Sequence, residues 1–224
     1  MLITIPNVLD QQRLDFVSKA LENANFVDGK LSAGMAAKRV KNNEELSTDD
    51  KQMQQLNNIV MGSLVQHDEF KAAALPLRVA APFYARYSKG MTYGDHVDDP
   101  IMGNAGQQYR TDVSTTVFLN NPEDYEGGEL VIRTSFGEQK LKLAAGSAVV
   151  YPSGSLHHVA EVTKGTRLVA VTWSQSMVRD PAKRELLYQL NQARESLLKN
   201  RPDEEETKQV DVSYVNLFRM WSEL

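Results

Sequence analysis

Residues 93–100 read YGDHVDDP, and within them His96 and Asp98 stand one residue apart. In an extended segment side chains alternate faces, so positions i and i+2 project to the same side and can hold one ion between them. An imidazole and a carboxylate are both good ligands for a divalent transition metal. The pair alone is a weak signal, because His-x-Asp also arises by accident in polar turns. Asp99 projects to the opposite face from Asp98 and reads as a turn residue.

The chain has four histidines, and the other three divide sharply. His67 in QHDEF lies on a helical pattern, in the stripe of Val60 and Leu64. Glu69 two residues on cannot share a metal with it, since helix positions i and i+2 point about 200° apart. His67 therefore reads as a capping or partly buried residue. His157 and His158 fall instead near the end of the strand-rich region, and Arg167 follows across a Lys-Gly turn. Two histidines and one carboxylate on one face of a metal leave three adjacent positions open, the ligand set of non-haem Fe(II) oxygenases. An arginine inside the apolar run TRLVAVTW is costly without an anionic partner. A co-substrate carboxylate suits its planar fork; a solvent-facing residue beside a turn is the plainer reading.

These residues need a rigid frame. Residues 9–26 carry an amphipathic helix pattern, with Asp10 at the N-cap position and Leu14, Val17 and Leu21 on one stripe. Residues 28–43 read as an irregular connection or an edge strand. A second helix is predicted over 47–74, opened by a Ser47–Asp50 capping box and carrying Leu56, Val60 and Leu64. From residue 75 to about 175, short runs rich in Val, Ile, Thr, Tyr and Phe alternate with turns such as NNPEDYEGG, PSG and KG. About eight short strands over such a span suggest a β-sandwich or jelly-roll barrel. Two further helical segments follow Asp180, separated by the charged break RPDEEETK. The expected plan is mainly β with flanking helices (α+β), divided into a domain over 1–176 and a helical extension over 177–224.

Composition removes several classes of function. The 224 residues include no cysteine, which excludes disulfides, thiolate catalysis and Cys-ligated clusters together. A net charge of −4 without a Lys/Arg block argues against a nucleic-acid partner. No apolar run approaches a bilayer span and the N-terminus has no signal-peptide pattern, so no membrane partner and a cytoplasmic location are expected.

Taken in order, RYSKGMTYGDHVD, TDVSTTVFLN, EGGEL, LAAGSAVVYPSGSLHHV and GTRLVAVTW resemble the prolyl/lysyl-hydroxylase type of Fe(II)/2-oxoglutarate dioxygenase. The likeness is strongest to the bacterial PKHD-type hydroxylase group associated with iron uptake. It extends to VKNNEE near the start and to WSQSMVRDPAKRELLYQL and FRMWSEL near the end. The resemblance implies a double-stranded β-helix, or jelly roll, holding Fe(II) through His96, Asp98 and one later histidine. Arg167 is ten residues after His157 and nine after His158, so spacing leaves the histidine open. The pattern Ser-Leu-His-x-Val of the group selects His157 and turns His158 to the other face.

The resemblance further implies that Arg167 binds the far carboxylate of 2-oxoglutarate, with Tyr87 and Tyr93 lining or hydrogen-bonding that pocket. For these tyrosines barrel packing is the alternative, and for Thr116 and Phe118 packing is preferred. The reaction implied is hydroxylation of an unidentified small molecule or protein side chain, using O2 and ascorbate. It is coupled to oxidative decarboxylation of 2-oxoglutarate to succinate and CO2. Competing readings are a non-catalytic Fe(II)/2-oxoglutarate sensor, a zinc hydrolase lacking an evident general base, and a purely structural sandwich. Leu217, Phe218, Met220 and Trp221 form an apolar stripe that either packs on the barrel or supports a homodimer.

Overall fold

A computed structural model describes residues 1–47 and 52–224 of the chain. Strand β1 (Ile3–Ile5) leads into helix α1 (Gln11–Glu22), where the Asp10 carboxylate accepts the backbone N–H of Arg13 at 2.9 Å, as an N-cap should. Leu14, Val17 and Leu21 are buried on its inner face. The stretch 28–43, expected to be irregular or an edge strand, contains the two-residue strand β3 (Lys41–Asn42), and the three-residue strands β2 (Phe26–Asp28) and β4 (Glu44–Leu46) flank it. They are too short and too polar to show any alternation.

The helix expected in one piece is two, α2 (Met53–Gln66) and α3 (Asp68–Ala74). The break falls at His67, whose extended backbone ends one helix while its Nδ1 accepts the Glu69 N–H at 3.3 Å to cap the next. Asp50 of the expected capping box lies outside the described residues.

The barrel strands follow: β5 (Pro76–Val79), β6 (Phe83–Ser88), β7 (Thr92–His96), a small hairpin of β8 (Ile101–Met102) and β9 (Tyr109–Arg110), and β10 (Val113–Phe118). Then come β11 (Tyr125–Gly127), β12 (Leu130–Thr134), β13 (Gly137–Leu141), β14 (Ala148–Pro152), β15 (His157–Val159) and the long β16 (Val162–Ser176). Helices α4 (Pro181–Asn200) and α5 (Glu205–Trp221) complete the chain.

Among the described residues, pairing is antiparallel throughout. The larger sheet runs β1-β14-β10-β16-β6-β4-β2, with β11 and β5 also on β16; the smaller runs β13-β12-β15-β7-β3. Facing one another, the two sheets form the jelly roll. Gly165 sits at φ +73° where a Cβ would come within 2.1 Å of the Asp124 carbonyl, so only glycine lets β16 turn against β11 just before Arg167.

Two apolar layers hold this frame. One joins α1, α2 and α3 to the outer face of the larger sheet, through Val17, Leu56, Val60, Leu64, Phe70 and Val117. The other fills the space between the sheets with Phe118, Leu130, Ile132, Val149 and Val169. Each such side chain, fully buried, contributes roughly 1.5–3 kcal/mol. The helices beyond residue 176 pack Leu217, Phe218 and Trp221 against Leu75, Val178 and Leu187, while Met220 remains 74% exposed. Buried Arg184 ties this layer to the barrel by donating to the carbonyls of Val178, Arg179 and Asp112 at 2.7, 2.8 and 3.2 Å. Among the described residues no helix is long and apolar enough to cross a membrane.

Candidate active site

Strands β7 and β15 place His96 directly opposite His157, with ring centres 4.2 Å apart. Asp98 lies just beyond the end of β7 and turns in beneath both rings. Its Oδ1 stands 4.0 Å from Nε2 of His96 and 3.8 Å from Nε2 of His157. One ligand atom from each of the three residues falls within 4.8 Å of the others, close enough to share one metal ion.

The orientation of each donor is set from behind. His96 Nδ1 lies 2.8 Å from the Gly94 carbonyl and His157 Nδ1 lies 2.9 Å from the Ser155 carbonyl. A carbonyl only accepts, so both Nδ1 atoms carry a proton, and in the neutral tautomer this fixes, the lone pair is on Nε2, the atom turned toward Asp98. Ser114 Oγ donates to Asp98 Oδ2 at 2.5 Å, and Ser153 Oγ lies 2.8 Å from Ser114 Oγ. A hydroxyl has one proton, so Ser153 donates to Ser114 and Ser114 to the carboxylate, leaving Oδ1 for a metal. Outer partners of this kind fix ligand geometry. Burial, then the nearby His157, depress the His96 pKa to about 4, so the ring is neutral and ready to coordinate. Tyr151 meets His157 edge-on at 5.3 Å.

A β-bulge shapes the same corner. His157 pairs with His96 and Val159 with Tyr93, so two steps on β15 span three on β7. The extra residue reverses the alternation and brings Tyr93 to the same side as His96. The two rings stack, 3.6 Å apart and 10° from parallel. His158 points the opposite way, with Nδ1 2.9 Å from an oxygen of Asp95. The expected difference between the adjacent histidines is therefore a difference of face.

Arg167 is 1% exposed and opposite Tyr87 across β16 and β6. Its Cζ lies 5.0 Å from the Tyr87 ring centre and 5.7 Å from that of Phe118. Among the described residues its Nε and Nη1 have no hydrogen-bond partner. A buried guanidinium without an anion is an expensive arrangement that a ligand carboxylate would relieve. Burial pushes the Tyr87 phenol up to about 12 against the lowering pull of Arg167, so it is a neutral hydrogen-bond donor. Burial also raises the Tyr93 phenol above its ordinary range.

One cavity of about 770 Å³ joins Arg167, Tyr87, Tyr93 and the cluster of His96, Asp98 and His157. Thr116 lines it too, while Phe118 packs beneath the guanidinium, the role preferred for it. Asp99 reaches the cavity wall rather than turning away, and its backbone carbonyl accepts from Thr111 Oγ1. Sequence reasoning missed Ser114 and Ser153, the wall residues Lys41 and Glu45, and Trp173. Ser114 and Trp173 could have been found by extending the alternation of Thr116 and of Arg167 along their strands.

Comparison with known proteins places this geometry in a class. The family model of the 2OG-Fe(II) oxygenase superfamily matches residues 82–175, and that of the PKHD-type hydroxylase C-terminal domain matches 181–223. A prolyl hydroxylase from Trichoplax adhaerens, solved with a peptide of hypoxia inducible factor, superposes with a TM-score of 0.57 at 18% identity. That match covers 83% of this chain and 86% of the other. HygX from Streptomyces hygroscopicus, solved with nickel, 2-oxoglutarate and hygromycin B, gives 0.51 at 14% identity, over 79% and 84% of the two chains. At these identities the likeness is one of fold.

Closer relatives are found by sequence. A PKHD-type hydroxylase of Thioalkalivibrio sulfidiphilus is 53% identical over the whole of both chains, and one of Acaryochloris marina is 46% identical over the same extent. The chain belongs to the PKHD-type hydroxylase family of 2OG-Fe(II) oxygenases.

Proposed function

We propose that this protein is an Fe(II)- and 2-oxoglutarate-dependent dioxygenase that hydroxylates an organic substrate, with decarboxylation of the co-substrate to succinate and CO2. The observation that carries the reading is Arg167, a buried cation whose Nε and Nη1 have no hydrogen-bond partner among the described residues, in the cavity that also holds the three candidate ligand side chains. His96, Asp98 and His157 are the metal ligands. Two neutral nitrogens and one carboxylate suit Fe(II), and three protein donors leave positions for other ligands.

An Fe(II) held by His96, Asp98 and His157 would supply the oxidation chemistry, with O2 as oxidant and 2-oxoglutarate as the sacrificial co-substrate. The chain's part is to hold and to exclude. Arg167 receives the distal carboxylate in a two-pronged charge-assisted contact, and the Tyr87 hydroxyl donates beside it. Ser114 keeps Oδ1 of Asp98 turned inward, and the backbone carbonyls of Gly94 and Ser155 keep both imidazoles in the coordinating tautomer. Phe83 and Trp173, meeting edge-to-face at 5.6 Å, line the same cavity and offer an apolar surface to the primary substrate. Ascorbate belongs to this reading as an external reductant.

Anaerobic addition of Fe(II) and then 2-oxoglutarate to the purified protein tests the proposal through a weak visible charge-transfer band. The band is expected in the wild type, absent in His96→Ala and harder to saturate in Arg167→Ala. No band in the wild type refutes it. A band without succinate release under oxygen, with every candidate substrate, would indicate a sensor.

A further inference from the structure

We propose that Tyr93, anchored by the buried Lys41–Glu45 ion pair, is a positioning residue that fixes the plane of the His96 imidazole and so sets the affinity of the metal centre. The inference rests on reading His96 as a metal ligand.

The contact is specific in its geometry. In a regular strand, residues 93 and 96 would face opposite sides of the sheet. The bulge in β7 turns Tyr93 over, and the outcome is a near-parallel stack at 3.6 Å on the imidazole. A ring held flat against a ligand restricts rotation about its Cβ–Cγ bond, which the single Nδ1 contact to Gly94 leaves partly free. The site has a second ligand, His157, whose ring meets Tyr151 only edge-on. His96 is the ligand on the strand that the bulge distorts, and it receives the added support.

The N-terminal segment clamps Tyr93 in turn. Lys41 pairs directly with Tyr93 across β3 and β7, and its Nζ lies 5.4 Å from the centre of the phenol ring. That Nζ also contacts Glu45 at 2.5 Å and Ser32 Oγ at 3.0 Å, with Lys41 7% and Glu45 8% exposed. The strands approach so closely that a Cβ on Gly94 would come within 2.9 Å of Val40 Cβ, and the Gly94 N–H donates to the Val40 carbonyl at 2.9 Å. For stability alone, apolar residues of similar volume would serve as well as a buried ion pair. An ammonium near a cation site is also unfavourable unless neutralised, which Glu45 does. Lys41 and Glu45 lie outside residues 82–175, the span matched by the superfamily model.

The test titrates Co(II), as a redox-stable probe, into the metal-free protein and follows both affinity and the visible ligand-field spectrum. The variants are Tyr93→Phe, which keeps the stack, Tyr93→Leu, which removes it, and Lys41→Met with Glu45→Gln, which removes the anchor without stranding a charge. Tyr93→Phe is expected to match the wild type. The other two are expected to bind about tenfold more weakly, the scale seen for outer-shell partners of metal ligands, with an altered spectrum. Should Tyr93→Leu misfold, as circular dichroism would reveal, the Lys41/Glu45 double variant still decides. Wild-type affinity and spectrum in that double variant and in folded Tyr93→Leu would overturn the inference while leaving the metal site standing. So would a folded Tyr93→Phe protein that loses Co(II) affinity, because the stack is kept there and only the hydroxyl is gone. Absence of Co(II) binding in the wild type would overturn the metal reading itself.

Discussion

Arg167 and Tyr87 are direct cross-strand partners, and the guanidinium carbon stands 5.0 Å from the centre of the phenol ring. The pairing gives the cation an aromatic face but no counter-charge. Replacing Arg167 by Met should therefore have opposite effects on binding and on stability. Affinity for 2-oxoglutarate should fall about 100-fold, the scale expected when one partner of a buried charge pair is removed. The ligand-free protein should melt higher, by about 2–4 °C for each kcal/mol of burial cost relieved in a chain of this size. Thermal melts with and without 2-oxoglutarate check both, and a lower melting point without ligand would show that the charge is already compensated.

The neighbouring histidines should separate cleanly. His157→Ala should abolish tight metal binding, because its Nε2 faces Asp98. His158→Ala breaks only a partly exposed contact with Asp95 and should cost less than about 1 kcal/mol with metal affinity unchanged. Isothermal titration with Co(II) distinguishes them, and equal losses in both would contradict the assignment of faces.

Ser114→Ala removes the donor to Asp98 Oδ2 without touching any ligand. It should weaken metal binding about tenfold and destabilise the fold by about 1–3 kcal/mol, since the buried Ser153 hydroxyl and one carboxylate oxygen lose a partner. Ser114→Thr, which keeps a hydroxyl, should restore most of the affinity.

Acid should destabilise the metal-free protein through His96. Its folded pKa of about 4 lies below the ordinary 6.5, so on acidification the unfolded chain takes up this proton first. The contribution of the neutral ring is complete above pH 6.5 and is lost as the pH falls toward about 4, on the order of 3 kcal/mol in all. Urea unfolding across that window should show a shallower pH dependence in His96→Phe, and an unchanged slope would place the acid sensitivity elsewhere.

The candidate ligand cluster could be read in the sequence from an i, i+2 spacing taken as a strand face and from a later histidine beside a turn that the composition marks. The strand in fact ends at His96, and Asp98 reaches the site from the first residues of the loop. Arg167 was legible from cost, a charge in an apolar strand. Tyr93 could be placed in the pocket by resemblance, but its stacking depends on a bulge that no local pattern announces. Lys41 and Glu45 were hidden for another reason: strands of two or three polar residues exist only because neighbouring strands supply their partners. The broken helix at His67 shows the same limit, since the apolar period continues across a change of axis.

β16 lies at the middle of the larger sheet, bonded to β10 and β6 along its length and to β11 and β5 at its ends. It is also the last barrel strand to leave the ribosome. Until it emerges, β6 and β10 have no common neighbour, and the face that will carry Arg167 does not exist. A nascent chain already containing His96, Asp98 and His157 can pair β7 with β15 in the smaller sheet, but β6 and β10 still display unpaired edges, the condition under which β proteins are most prone to aggregate. Closure depends on pairings distant in sequence and is expected to be slow. For this molecule the order of synthesis makes the co-substrate side of the pocket a late arrival, because Arg167 comes only with the strand that closes the larger sheet.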